Sequence, residues 1–147
     1  MNEPDKIISS WGGHILQLRT FEILGDTLMT GRVASTIIVI DTGKTLHNNA
    51  TYLELDYDAA HSSYTNDGTI DGTGLFRIRQ YTGGTTTIDL DQGTITCDDG
   101  LSIFTNVVAS ADQTIQLAGD TTLDCDLSVI GYAPETITLH HLSLIHI

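Results

Sequence analysis

The 147 residues carry 19 acids against six bases, a formal charge of −13. That surface lacks the cationic patch that phosphate backbones and anionic headgroups demand, so no nucleic acid and no membrane insertion is expected. Twenty-two threonines, 14 glycines and only two prolines, Pro4 and Pro134, fit short β-strands alternating with tight turns and, with no helical period after residue 20, argue against a helical or βαβ fold.

In chain order, residues 1–19 form an expected N-terminal cap or lead-in. Asn2 to Lys6 reads as a helix start with Pro4 in its first turn. Ile7, Ile8 and Trp11 are apolar residues suited to covering the open end of a stacked domain, since an exposed terminal unit is an unpaired edge. The pair Ile7 and Ile8 is too short for the apolar core of a secretory leader, so no signal peptide is visible. No stretch approaches transmembrane length.

Residues 20–141 repeat themselves. Asp41 to Leu46, Asn66 to Ile70, Asp91 to Ile95 and Ala118 to Leu123 superpose at a step of about 25 residues, the period of stacked architectures. Phe21 to Leu28 matches Ile115 to Leu123, and only 18 residues separate Gly25 from Gly43, so the first coil is shortened. Each coil holds three strand signals with period-2 alternation. The first turns Leu46, Ile70, Ile95 and Leu123 inward, each after a threonine, at spacings of 24, 25 and 28. The second turns in Leu53/Leu55, Phe76/Ile78, Leu101/Ile103 and Leu127/Val129, whose first members are 23, 25 and 26 apart. The third carries Ile38/Ile40, Ile88/Leu90, Ile115/Leu117 and Ile137/Leu139, with the Tyr64 region filling the gap after the first pair. The expected fold is all-β, a single-stranded parallel β-helix of three sides and four to five coils, right-handed by the preference of parallel crossovers.

Cys97 and Cys125 occupy equivalent positions in adjacent coils, as reduced thiols in an internal ladder or as a disulfide between neighbouring strands. No metal is expected. The weak calcium candidates are the corner aspartates Asp89 and Asp91 and, one coil on, Asp124 and Asp126; the Gly-Gly-x-Gly-x-Asp calcium repeat is absent, and they read as solvated corners. Of His14, His47, His61, His140 and His141, none has an i, i+4 partner or Asp/Ser neighbour that would suggest a site, and most read as surface residues. The outward column His47, Asp71, Thr96, Asp124 is not a threonine ladder.

Gly68-Thr69-Ile70-Asp71-Gly72-Thr73-Gly74 resembles the Gly-x-Ile-Asp-Gly-x-Gly rung of polygalacturonase-type hydrolases and other pectin-degrading β-helices. Cys97-Asp98-Asp99-Gly100 is similar to the paired aspartates of those hydrolases. The resemblance implies Asp98 and Asp99 as the carboxylates that would protonate a leaving oxygen and activate water. The Asn-Thr-Asp and Gly-His-Gly motifs that accompany them are absent, and Phe76-Arg77-Ile78-Arg79 precedes Asp98, the wrong order for the basic motif. Gly-Thr-Ile-Asp-Gly is also ordinary corner chemistry, so no catalysis and no cofactor is expected.

Thr85 to Thr96 and Gln113 to Val129 resemble the Thr/Gly-rich coils of adhesin-like and surface-layer-associated proteins. That resemblance implies a structural or adhesive segment of a larger extracellular or cell-surface protein. Its partners would be glycans or other surface proteins, with self-association through the exposed terminal coil. A fragment of a carbohydrate-active β-helix enzyme and a phage tail-fibre or spike segment are the alternatives. Residues 142–147 are similar to a translated sequencing adapter and are expected to be a non-native scar, with the solenoid truncated near His141.

Overall fold

The computed structural model describes residues 6–8, 15–58, 60–81, 85–105, 113–131 and 137–141. Every regular element among them is a β-strand. In chain order the strands are β1 (Lys6–Ile8), β2 (Leu16–Ile23), β3 (Thr27–Met29), β4 (Val33–Ile40), β5 (Thr45–Asn48) and β6 (Tyr52–Tyr57). They continue with β7 (Ser63–Asn66), β8 (Thr69–Asp71), β9 (Leu75–Gln80), β10 (Thr85–Asp89) and β11 (Thr94–Ile95). The last are β12 (Leu101–Thr105), β13 (Gln113–Ala118), β14 (Thr122–Leu123), β15 (Leu127–Ile130) and β16 (Ile137–His141).

These strands form three sheets. The first runs β1-β3-β5-β8-β11-β14, the second β15-β12-β9-β6-β4-β2 with β7 alongside the second half of β4, and the third β10-β13-β16. The pairings are parallel, so each strand meets a strand from an earlier or later repeat rather than its sequence neighbour. Leu46 pairs with Ile70, Ile70 with Ile95 and Ile95 with Leu123. In the second sheet Leu53 pairs with Phe76, Phe76 with Leu101 and Leu101 with Leu127. Both sets reproduce the spacings read from the sequence. Leu46, Ile70, Ile95, Leu123, Leu53, Phe76 and Leu101 lie in one buried apolar cluster, with Leu127 and Val129 packed partly buried against it.

The third set of strands departs from expectation. Ile38 and Ile40 lie on β4 in the second sheet, opposite Tyr64 and Asn66 of β7. Thr86 pairs with Ile115, Ile88 with Leu117 and Ile115 with Leu139, a slip of two residues from the expected alignment. Alternation fixes register only to within two residues, because a shift of two keeps the same face inward. Thr86 takes the inward place and is only 2% exposed, its hydroxyl accepting a 2.6 Å hydrogen bond from the Gln80 amide. Leu90, just past β10, donates its N–H to Ala118 O.

Part of the expected lead-in is itself strand: β1 aligns with β3, Lys6 opposite Thr27, and β2 starts at Leu16. Asn2 to Asp5, Trp11 and residues 142–147 lie outside the described residues. The short early repeats, with Thr27 opposite Leu46, have a structural cause. β4 runs unbroken through Ser35 and Ile37, which pair with Leu55 of β6 and Ser63 of β7; later repeats insert residues there.

Candidate functional site

The turn after β8 explains why this rung carries so much glycine. Gly72 sits at φ +105°, a conformation L side chains rarely adopt. A Cβ on Gly74 would lie 2.0 Å from the Ala50 carbonyl oxygen. The close approach lets Gly74 donate its N–H to Asn48 O at 2.8 Å and brings one turn directly over the next.

With Leu46, Ile70 and Ile95 turned inward, His47, Asp71 and Thr96 face outward from successive repeats. His47 and Asp71 are directly paired in the β5/β8 register, and His47 Nδ1 stands 2.7 Å from Asp71 Oδ1. The imidazole is well covered, its residue 8% exposed. At the corner beyond, Asn49 Oδ1 accepts the Thr73 N–H at 3.1 Å, and Asp98 donates its N–H to Gly72 O at 2.8 Å. His47, Asn49, Asp71, Gly72, Thr73, Thr96 and Asp98 line a cleft of about 320 Å³.

The two aspartates singled out by resemblance separate here. Asp98 lines the cleft; Asp99 is exposed on the turn, donating its N–H to Gly74 O at 3.2 Å, and is not a lining residue. Asp71 of the Gly68 to Gly74 rung takes the place beside Asp98. Arg77 and Arg79 lie on the second sheet, with their Nε atoms 2.6 Å and 3.2 Å from Glu54 Oε1. Arg77 also stacks over Tyr52 with its guanidinium carbon 4.0 Å from the ring centre. Burial, then the neighbouring Glu54, pushes the Asp56 carboxyl in this cluster up to about 6, against the opposing pull of both arginines.

Of the corner aspartates, Asp89 and Asp91 each accept a backbone N–H with a side-chain oxygen. Asp89 Oδ1 accepts the Asp91 N–H at 2.8 Å, and Asp91, at φ 58°, accepts the Asn66 N–H at 3.2 Å. Burial, then Asp67, holds the Asp91 carboxyl above its ordinary range. Asp124 and Asp126 are exposed on either side of Cys125. Among the described residues no group of three or more His, Cys, Asp or Glu is arranged to hold a metal ion. Cys97 and Cys125 are free thiols, and burial, then Cys125, pushes the Cys97 thiol up to about 12. Such a thiol stays protonated and unreactive at neutral pH.

Two histidines correct the sequence reading. His61 has an aspartate three residues earlier, with Nδ1 3.1 Å from Asp58 Oδ2 on the exposed surface. His47 is not a surface residue, and its aspartate lies 24 residues on. The signal was the outward column itself: in a parallel stack, neighbours are one repeat apart rather than three or four residues apart. The side chains of His14, His140 and His141 lie outside the described residues. No family model, curated protein or solved structure matches the chain at a significant level.

Proposed function

We propose that the chain is a right-handed, three-sided parallel β-helix serving as a structural or adhesive segment at the cell surface or outside the cell, without catalysis of its own. The observation that carries this reading is the recurrence of one register: Leu46, Ile70, Ile95 and Leu123 fall opposite one another in sheet one while Leu53, Phe76, Leu101 and Leu127 do so in sheet two. A chain that returns to the first sheet once per repeat grows along one axis, which suits a spacer or an adhesive surface. The right hand rests on the general preference of parallel crossovers. The acidic surface speaks for glycan or protein partners over nucleic acid.

A carbohydrate-active enzyme is the second reading. It is favoured by His47 held on Asp71 with Asp98 in the same cleft, since an imidazole oriented by a carboxylate is a general base and a further carboxyl can act as its acid. Release of reducing sugar from a polysaccharide panel separates the two. The adhesive reading expects retention on at least one immobilised glycan with no reducing ends released; release that Asp98→Asn abolishes would establish the enzyme. Light scattering tests the tail-fibre alternative, which requires a trimer.

A further inference from the structure

We propose that the cleft between β5, β8 and β11 binds an amine-bearing sugar unit, with Asp98 and Asp71 facing the ammonium group and Asn49, Thr73 and Thr96 meeting hydroxyls. The proposal rests on the adhesive reading and names the ligand of that site. The composition of the lining, its size and its rigidity lead to it.

The lining holds two carboxylates, an imidazole, an amide and two hydroxyls, and no lysine or arginine. An anionic ligand such as a uronate or sulfated sugar would meet two like charges on a chain of charge −13. The lining also has no Trp, Tyr or Phe, so the broad stacking platform that assists a neutral sugar is missing and charge is left to contribute. The cleft, about 320 Å³, matches a small organic ligand.

Position and rigidity add to this. His47 is fixed by its 2.7 Å contact with Asp71, so the wall is ordered before a ligand arrives, which lowers the cost of binding. Along the same face Thr45, Thr69, Thr94 and Thr122 stand opposite one another on β5, β8, β11 and β14. Parallel strands lie about 4.8 Å apart, so a polymer leaving the cleft across the strands continues to meet hydroxyls.

The test is calorimetric titration of the full chain with a β-1,4-linked glucosamine tetramer at mildly acidic pH, beside its N-acetylated form and a galacturonate tetramer. The glucosamine tetramer should bind, weaken with added salt, and exceed the other two. Asp98→Asn should weaken it about tenfold, as loss of one charge-assisted contact implies, with unchanged thermal unfolding, while the neighbouring Asp99→Asn binds like the parent. Equal binding by Asp98→Asn, or galacturonate bound as tightly, overturns the proposal. Absence of glucosamine binding with retention on another immobilised glycan overturns this site while leaving the adhesive reading; no retention on any glycan overturns this site and glycan adhesion together.

Discussion

At the scale of single residues, one side chain's position in a stacked register decides its chemistry more than its sequence neighbours do. Asp56 and Asp58 lie two residues apart, yet the half-buried Asp56 is raised to about 6 by burial and Glu54, whereas Asp58 is lowered by the Ala60 N–H and then His61. The folded state therefore holds the Asp56 proton more tightly than the unfolded chain, whose value is near 3.8. The contribution of this group to stability is full below pH 3.8 and lost as pH rises through about 6. Asp56→Asn should remove that loss: in urea titrations across this window the variant gains on the parent as pH rises. A constant difference between the two would contradict the assigned environment. Gly74 is the second residue whose place dictates its identity. Gly74→Ala drives a methyl into the Ala50 carbonyl and should cost about 3 kcal/mol or more, at the severe end for single substitutions, measured as a fall in the urea midpoint.

At the scale of elements, β12 is the strand whose disruption is most informative. Leu101 is 1% exposed and lies between Phe76 of β9 and Leu127 of β15. Leu101→Asp buries an unpaired carboxylate and should abolish cooperative unfolding followed by circular dichroism; a soluble, cooperatively folded variant would refute the register. The first two sheets were legible in the sequence because glycines anchor the count of residues at most of their strands: Gly25, Gly43, Gly68, Gly93 and Gly119 before β3, β5, β8, β11 and β14, and Gly31, Gly74 and Gly100 before β4, β9 and β12. The third was legible only in part. There the residues between the second and third sheets vary in number from repeat to repeat, and alternation cannot tell Thr86 from Ile88 as the partner of Ile115. The cleft was hidden for a related reason: His47 finds no partner within its own strand, and its aspartate appears only when repeats are laid one upon another. Asp98 shares the cleft with Asp71, whereas Asp99, its sequence neighbour, lies outside the lining.

At the scale of the whole molecule, charge is distributed unevenly. Four of the six bases, Arg19, Arg32, Arg77 and Arg79, lie on or beside the second sheet, where Glu54 and Tyr52 hold Arg77. The cleft opens on the first sheet, whose outward columns carry threonine, His47 and aspartate. One face is thus cross-braced by arginine, and another carries acceptors and hydroxyls. This division depends on the repeats stacking in the register described. The most direct measurement is crosslinking between cysteines placed in the Thr69, Thr94, Thr122 column, in a Cys97→Ser, Cys125→Ser background, with a short thiol-specific reagent spanning about one strand spacing. Thr69→Cys with Thr94→Cys, and Thr94→Cys with Thr122→Cys, should link within one chain, while Thr69→Cys with Thr122→Cys, two strands apart, should not. Efficient linkage of the last pair, or failure of both adjacent pairs, would contradict the stacked parallel register on which the proposed β-helix and its cleft depend.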